Sequence, residues 1–390
     1  MHRLNTLLGM PQHRFASIHV VGTNGKSSVT RMAAALMEAS GLRTGACVSP
    51  HASRWSERVL IGGAEIAPAA FAAAVERAAD AAEVVNRGSA EEDGPVTQFE
   101  LATAAAFVAL AAAHVQVAVV EAGLGGRLDA TNTIPSRVTA MTSVGLDHTE
   151  WLGESETEIA AEKLAVLRDQ TTLVVGRLNP DVADQARRVA ERRGAKLVVA
   201  PEDPGEEVEL GLSGRFQRRN FALAVAVVEA FTGRPLEPGL VAEVAREVRV
   251  PGRLEGLGGD PPVFLDAAHN PAGAAALAEA IAEIAAGRPV VACLAVLADK
   301  DTGGIIAALA PILRSAVCTE LPEAPREAVP AAELRDACIE AGLGAEAVPD
   351  LGDALQRARE LAAASGGIVL VAGSHYLLAP AREALGLCED

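Results

Sequence analysis

The segment of this sequence with the clearest capacity for chemistry is Gly22-Thr-Asn-Gly-Lys-Ser-Ser28. It lies between a predicted strand, Ser17–Val21, and a predicted helix, Ser28–Ser40. Backbone N–H groups and a helix N-terminus can cradle phosphate there, while the amine of Lys26 neutralises it. Val20 stands where the regular GxxxxGK[ST] pattern has its first glycine. The segment predicts a phosphate-binding loop, and the alternative is a tight turn with an exposed lysine.

Three further polar side chains follow apolar segments: Ser49 after Gly45–Val48, Glu121 after Val115–Val120, and His148 beyond Val138–Val144. Ligands of doubly wound sheets bind at the carboxyl ends of strands, so these side chains are expected to converge on the phosphate loop. Hydroxyl, carboxylate and imidazole could complete a magnesium shell, although imidazole is an unusual ligand for so hard a cation. Taken singly, each is more typical of a cap or a satisfied core residue.

Strands and helices alternate along the whole chain, which predicts an α/β protein. We expect a P-loop-containing, doubly wound N-terminal domain with a mainly parallel sheet over residues 1–250, and a smaller Rossmann-like α/β domain over residues 251–390. The Gly- and Pro-rich stretch Arg249–Gly259 suits a linker, and Asn86–Gly94 suits a surface loop. The other predicted helices are Pro68–Val85 and Phe99–Ala113, and the other predicted strands are Thr172–Val175, Lys196–Val199, Val263–Leu265, Pro289–Val296, Ala316–Thr319 and Ile368–Ala372.

Composition excludes several classes of function. A net charge of −17 and a pI near 5.0 argue against a surface for nucleic acid or anionic membrane. The five cysteines are scattered and include no CxxC pair, so neither a disulfide framework nor a zinc site is expected, and a reducing cytoplasm fits. We find no secretory signal and no apolar run long enough to cross a bilayer.

Motifs along nearly the whole chain occur in the order of one enzyme family. They are Arg3–Gly9, His19–Lys26, Ser49–His51 with Glu57 and Arg58, Thr97–Glu100, Glu121–Asn132, Asp147 with His148, Ala161–Lys163, Phe216 with Gln217 and Asn220, Pro251–Arg253 and Leu265–Pro271. Of these, Glu121-Ala-Gly-Leu-Gly-Gly-Arg-Leu-Asp-Ala-Thr-Asn132 is the most specific. The chain resembles the folylpolyglutamate/dihydrofolate synthase branch of the Mur ligase superfamily.

The resemblance implies a set of binding residues. It places magnesium at Ser49, Glu121 and His148. It places ATP at Gly22, Thr23, Asn24, Gly25, Lys26, Ser27, Ser28, Asn220, Arg253 and Asp266. It places the pterin-bearing substrate at Thr97, Gln98, Phe99, Glu100, Leu128, Asp129 and Ala130, where Phe99 could stack on a flat ring.

The resemblance also implies catalytic residues: Lys26, Lys163, Asp266 and His269. Lys163 would be carboxylated at its amine nitrogen and bridge toward a second metal ion, whereas its residue type alone suggests an ordinary helix-surface lysine. Asp266 and His269 would act where the second domain closes over the site. Lys300 could reach the amino-acid substrate or form a loop salt bridge. The family usually has glycine at the position of Ser27, so either Ser27 or Ser28 could offer the hydroxyl.

The reaction implied is phosphoryl transfer from ATP to a carboxylate, giving an acyl phosphate that the α-amine of L-glutamate attacks. The acceptor would be dihydropteroate or a reduced folate, with two magnesium ions and a monomeric, cytoplasmic enzyme. One alternative is a Mur-type ligase with another carboxylate acceptor. A second is a nucleotide-binding switch, which would have no need of a second α/β domain, and the sequence has no Asn-Lys-x-Asp motif.

Overall fold

A computed structural model describes residues 1–51, 53–88, 94–321, 324 and 326–387. The chain divides into two compact units. Unit 1 comprises Met1–Gly211 and Gln217–Arg249, and unit 2 comprises Leu212–Phe216 and the chain from Val250 onward. Each unit contains one mainly parallel sheet with helices between its strands, which confirms the predicted α/β fold class.

Unit 1 is built on an eight-stranded sheet of order β4-β3-β2-β5-β1-β6-β7-β8. Its strands are β1 (Ala16–Val21), β2 (Thr44–Cys47), β3 (Val59–Ile61), β4 (Ala64–Glu65), β5 (Val117–Glu121), β6 (Ser136–Met141), β7 (Thr172–Val175) and β8 (Lys196–Val199). Only the pairings that involve β3 and β4 are antiparallel. The central strands β5, β1 and β6 run parallel, so their carboxyl ends lie side by side at one edge of the sheet.

The helices of the first part of the chain cover this sheet. They are α1 (His2–Leu7), α2 (Lys26–Ala39), α3 (Pro68–Arg87), α4 (Gln98–Ala112), α5 (Thr149–Leu152), α6 (Glu156–Leu164), α7 (Pro180–Arg192), α8 (Arg215–Thr232) and α9 (Pro238–Glu247). Helix α4 is apolar on every side, and its residues 103–110 are all buried. Such a helix is stable only inside a core, so α4 serves as the centre of the packing between α3 and the sheet.

Unit 2 has a six-stranded sheet of order β13-β12-β11-β14-β10-β9, in which β9 alone is antiparallel. Its strands are β9 (Glu255–Gly258), β10 (Val263–Leu265), β11 (Val290–Leu294), β12 (Ser315–Cys318), β13 (Gly344–Ala347) and β14 (Ile368–Ala372). Its helices are α10 (Pro271–Ala285), α11 (Thr302–Leu309), α12 (Ala331–Glu340), α13 (Leu351–Ser365) and α14 (Leu378–Ala384). The Ala-rich helices lie flat on the sheet because small side chains permit close packing.

Several predicted boundaries were wrong. The strand predicted to end at Val144 ends at Met141, because residues 142–145 leave the sheet to bind the phosphate loop. Residues 255–258 of the predicted linker form β9 instead. Helix α3 continues to Arg87, and residues 89–93 of the predicted surface loop lie outside the described residues. Within the described ranges, we find no helix that is both long enough and apolar enough to span a membrane.

Candidate active site

The phosphate loop, Gly22–Ser28, connects β1 to α2 at the carboxyl edge of the sheet. Gly22 has φ of +151° and Gly25 has φ of +84°, both in the region that favours glycine. A Cβ atom at Gly25 would lie 2.6 Å from Oδ1 of Asn220, so this residue of α8 packs directly on the loop. The sequence-predicted residues Gly25 and Asn220 therefore meet in space.

The residues that follow β6 hold the phosphate loop from the other side. The backbone N–H of Thr23 donates to the carbonyl of Ser143 at 2.7 Å, and the hydroxyl of Thr142 donates to the carbonyl of Asn24 at 2.6 Å. The N–H of Asn24 donates to Oγ of Ser143 at 3.1 Å. Sequence reasoning missed Thr142 and Ser143 because it assigned them to the strand. Two hydroxyl residues directly after an apolar run were the available signal.

Two lysine amines converge on one carbonyl of this loop. Nζ of Lys26 donates to the carbonyls of Gly22 at 3.1 Å and Thr23 at 3.0 Å. Nζ of Lys163, from α6, donates to the same carbonyl of Gly22 at 2.9 Å. The structure thus brings together two lysines that lie 137 positions apart in the sequence.

Lys163 is only 4 % exposed, so the alternative of an ordinary surface lysine is wrong. Burial, together with the positive charge of Lys26, lowers the pKa of Lys163 to about 7. Asp147 and Asp129 oppose the shift without reversing it. A large fraction of Lys163 is therefore a neutral amine near pH 7.

The buried carboxylate of Glu121 contacts two other predicted residues, Ser27 and Ser49. Glu121 is 2 % exposed at the end of β5. Its Oε1 accepts from the hydroxyl of Ser27 at 2.9 Å, and its Oε2 accepts from the backbone N–H of Ser49 at 2.9 Å. Ser28 is buried within α2. Of the two candidate serines, Ser27 is therefore the one whose hydroxyl reaches the carboxylate.

Glu121, Ser49 and Ser27 offer oxygen ligands, which are the kind that Mg²⁺ prefers. His148, the third predicted ligand, is the N-cap residue that precedes α5, and its Nε2 lies 3.8 Å from Oδ1 of Asp147. Sequence reasoning also missed Arg31 on α2, a cation close enough to Glu121 for the two charges to interact. Burial lowers the pKa of Arg31, and the negative charge of Glu121 opposes this shift. In the described part of the chain, no group of three or more His, Cys, Asp or Glu side chains forms a metal site.

A glycine-rich loop, residues 122–134, packs against the helix that carries Lys163. A Cβ atom at Gly126 would lie 2.6 Å from the carbonyl oxygen of Glu162 and 3.0 Å from that of Lys163. The N–H of Arg127 donates to the carbonyl of Glu162 at 3.0 Å, and its guanidinium pairs with the Glu162 carboxylate at 2.9 Å. Only glycine permits this close approach, which fixes the end of α6.

The residues predicted to line the substrate differ in their surroundings. Leu128 is 85 % exposed, whereas Ala130 is buried. The carboxylate of Asp129 accepts from the N–H of Leu124 at 2.9 Å and thereby shapes the loop from within. The ring of Phe99 packs on Gly123, where a Cβ atom would collide with it.

The same predicted segment begins helix α4. Thr97 caps the helix: its hydroxyl accepts from the N–H of Glu100 at 3.2 Å, and the Glu100 carboxylate accepts from the N–H of Thr97 at 3.0 Å. Gln98 is exposed in the first turn. The capping box accounts for Thr97 and Glu100 structurally and fixes where Phe99 lies.

The predicted residues of unit 2 cluster after β10. Asp266 is 4 % exposed, and its carboxylate accepts from the N–H groups of Leu254 at 2.8 Å and Ala268 at 2.7 Å. Burial raises the pKa of Asp266, while the charge of Arg253 opposes this. Nδ1 of His269 lies 2.9 Å from the carbonyl of Ala267.

Sequence reasoning missed two residues with aromatic rings, of which His375 lies beside His269 and Tyr376 lies beside His375. The ring of His375, which follows β14, lies 6.1 Å from the His269 ring and 3.9 Å from that of Tyr376. Strands β10 and β14 are parallel neighbours, so adjacent strand ends bring these residues together. Lys300 lies in the turn before α11, where Asp299 pairs with Arg326 at 2.9 Å and Asp301 caps the helix.

Comparison with known proteins decides the family. Residues 252–375 match a family model described as Mur ligase, glutamate ligase domain. The chain is 40 % identical over 354 residues to the dihydrofolate synthase/folylpolyglutamate synthase of Mycobacterium tuberculosis, covering 81 % of this chain and 72 % of the relative. The chain belongs to the folylpolyglutamate/dihydrofolate synthase family.

Solved structures of this family agree over nearly the full chain. The folylpolyglutamate synthase of M. tuberculosis complexed with ADP and AMPPCP has a TM-score of 0.94 at 35 % identity, covering 100 % of this chain and 95 % of that one. A bifunctional folylpolyglutamate synthase/dihydrofolate synthase with Mn, AMPPNP and L-glutamate bound has a TM-score of 0.85 at 30 % identity, covering 99 % and 94 %. Membership in this synthase family makes the chain an ATP-dependent ligase that uses a divalent metal.

The close packing at Gly126 gives a prediction for this synthase. Gly126→Ala should lower the free energy of unfolding by about 1–3 kcal/mol, because the added methyl group must push against backbone atoms of α6. Displacement of α6 should also lower the rate of ADP formation. The control is Gly239→Ala in α9, where a Cβ atom meets nothing within 4 Å and stability should hold or rise slightly. Urea unfolding checks both variants, and equal stability and activity would contradict the packing argument.

Proposed function

We propose that this chain ligates L-glutamate to dihydropteroate, to folates that already carry glutamate, or to both, through an acyl phosphate formed from ATP. One observation carries the proposal. The buried carboxylate of Glu121 lies within hydrogen-bond distance of Ser27 in the phosphate loop, so a carboxylate suited to a cation adjoins a loop suited to phosphate. Family membership supplies the reaction class.

The residues around the loop have separate tasks in this reaction. The backbone N–H groups of α2 and the amine of Lys26 would hold the phosphates of ATP and screen their charge. Glu121 and Ser49, with His148, would hold Mg²⁺, which when bound neutralises charge on the transferring phosphoryl group. Asn220 would keep Gly25 in place. No protein nucleophile is required, because the acceptor carboxylate attacks ATP and the amine of glutamate then attacks the acyl phosphate.

An acceptor with a flat, apolar body is supported by exposed apolar side chains near the carboxyl edge of the sheet. Leu124 and Leu128 on the glycine-rich loop are 41 % and 85 % exposed, and Leu146 and Trp151 are 52 % and 72 % exposed. A Cβ atom at Gly125 would lie 2.8 Å from the Leu152 side chain, so α5 adjoins the loop. Large exposed apolar groups that gather in this way are typical of a binding surface.

We also propose roles for unit 2, with residues 1–250 as the ATP-binding domain and 251–390 as the second domain. Asp266 would act by holding the backbone that leads into His269, as supported by its hydrogen bond to the N–H of Ala268. Arg253 and Asp266 stay proposed ATP-binding residues, and Asp266 and His269 stay proposed catalytic residues.

The acceptor assay tests the proposed function. With ATP, Mg²⁺ and L-glutamate, the protein should form ADP only when dihydropteroate or a reduced folate is also present. Glu121→Gln should lower this rate by about 100-fold or more, because it removes the anionic metal ligand.

The matched control is Glu83→Gln, whose carboxylate is 70 % exposed on α3 and pairs with Arg87. Its rate should be that of the wild type. Absence of glutamate-dependent ADP with either acceptor would contradict the proposal and would favour a Mur-type ligase with another carboxylate acceptor.

We further propose two magnesium ions and carboxylation of Lys163. The neutral amine attacks the carbon of CO2, a C–N bond forms, and one proton is released to give an anionic carbamate. The reaction requires the unprotonated amine, and the pKa of Lys163, about 7, provides it at physiological pH. The anion would stand where the family resemblance calls for a bridge to a second cation.

Carbamate formation has a direct measurement. After equilibration with ¹³C-bicarbonate at pH 8, the ¹³C NMR spectrum should show one carbamate carbon, weaker at pH 6 because the amine is then protonated. Lys163→Met should abolish the signal, and Lys196→Met, on exposed β8, should retain it. A signal that survives in Lys163→Met, or no signal in the wild type, would contradict carboxylation.

A monomer and a cytoplasmic location complete the proposal. The phosphate loop with Lys26, the carboxylate of Glu121, Ser49 and Lys163 of α6 come from one chain, which supports activity without a partner subunit. The four described cysteines are buried thiols, as suits a reducing compartment.

A further inference from the structure

A buried histidine of β1 is linked by side chains to the glycine-rich loop. His19 is 0 % exposed, and its Nε2 lies 2.8 Å from Oγ1 of Thr131. Oγ1 of Thr131 also hydrogen bonds to Oδ1 of Asp129, and Oδ2 of Asp129 accepts from the N–H of Leu124. The imidazole thus stands at one end of a chain of hydrogen bonds that ends on an exposed loop.

The donor and acceptor of each hydrogen bond between His19, Thr131 and Asp129 follow from which groups carry a proton. An ionised carboxylate only accepts, so Thr131 gives its single hydroxyl proton to Asp129. Thr131 must then accept from His19, which requires the neutral tautomer with its proton on Nε2. Burial, with a smaller effect of the charge of Arg168, lowers the pKa of His19 to about 3, so the ring stays neutral at working pH.

Packing alone does not account for a histidine at this position. A polar ring in the centre of a parallel sheet loses hydration that an apolar residue would not lose. Within the described residues, Nδ1 of His19 is buried with no hydrogen-bond partner. The ring hydrogen bonds to Thr131, so its polar contribution is made to the glycine-rich loop.

The C-terminal end of the glycine-rich loop is held by Arg168 and not by His19. The guanidinium of Arg168 donates to the carbonyls of Asn132 at 2.7 Å and Ile134 at 3.2 Å. The middle of the loop is held on α6 by Gly126 and by the hydrogen bonds of Arg127 to Glu162. The position of Leu124 depends on the Asp129 carboxylate, which accepts from its N–H and is oriented by Thr131.

We propose that His19 is a positioning residue for the acceptor: by donating to Thr131 it directs that hydroxyl to Asp129 and holds the exposed segment from Leu124 to Leu128 in one conformation. This inference rests on the proposed function, because it takes that segment as acceptor-binding. His19 would then affect the affinity for the acceptor and leave the rate of the chemical step unchanged.

The test compares His19→Leu, which removes the donor, with His19→Gln, whose amide can donate from a similar reach. His19→Leu should raise the KM for the acceptor about tenfold, the usual effect of one lost hydrogen bond, and leave the KM for ATP and kcat within about twofold. His19→Gln should recover most of the acceptor KM. Acceptor binding without ATP, measured by calorimetry, should weaken in parallel.

Thr131→Val serves where His19→Leu does not fold. It removes the hydroxyl but keeps the shape, and it should raise the acceptor KM to a similar extent. Combined with His19→Leu it should add little, because both variants break one chain of bonds. Ring ¹⁵N NMR should show the Nε2–H tautomer of His19 unchanged between about pH 5.5 and 8.

The outcomes separate the two proposals. If the wild type forms no acceptor-dependent ADP, the proposed function fails. If the wild type is active and His19→Leu or Thr131→Val keeps the wild-type acceptor KM, or if the His19 ring carries its proton on Nδ1, the positioning role alone is overturned.

Discussion

Two amino groups share one backbone carbonyl at the centre of unit 1, and much of the surrounding structure is needed to keep them there. Lys26 and Lys163 both donate to the carbonyl oxygen of Gly22. Two ammonium groups this close together would repel each other, and burial also disfavours the charged form of Lys163. The two amines can therefore differ in charge: Lys26 is the cation of the phosphate loop, and Lys163 can be a neutral, reactive amine.

The glycines of the two loops follow from this arrangement. Gly22 must present its carbonyl inward with a positive φ, and Gly126 must let its loop approach the end of α6 closely enough to fix Lys163. The Asp129 carboxylate then holds the glycine-rich loop from within through the N–H of Leu124. Thr142 and Ser143, which follow β6, hydrogen bond to Asn24 and so hold the phosphate loop. Rigid loops of this kind bring catalytic groups together without requiring long side chains to order themselves.

Part of the site could be predicted from sequence because it depends on local position. Glu121 and Ser49 each lie at the carboxyl end of a buried parallel strand, and such ends share one edge. The phosphate loop has its own signature of glycines and a lysine before a helix. The burial of Lys163 could not be predicted, because its helical position is compatible with a surface face and its amine is buried against the phosphate loop, which is distant in sequence.

The remaining differences arise from tertiary pairing. Strands β3, β4 and β9 are two to four residues long and owe their conformation to antiparallel neighbours rather than to their own pattern. The end of β6 is set by Thr142 and Ser143 turning toward the phosphate loop, and Val144 beyond them makes the apolar pattern longer than the strand. The choice between Ser27 and Ser28 likewise needed the position of the Glu121 carboxylate.

The central claim is that Lys163 is a neutral amine beside the charged Lys26, and its pKa can be measured directly. The chain has only four lysines, Lys26, Lys163, Lys196 and Lys300, so ¹³C-lysine NMR in CO2-free buffer resolves each side chain. We expect Lys163 to titrate near pH 7 and Lys26→Met to raise the pKa of Lys163, because a neighbouring positive charge is removed. Titration of Lys163 near its ordinary value of 10.5, or no change in Lys26→Met, would contradict the central claim.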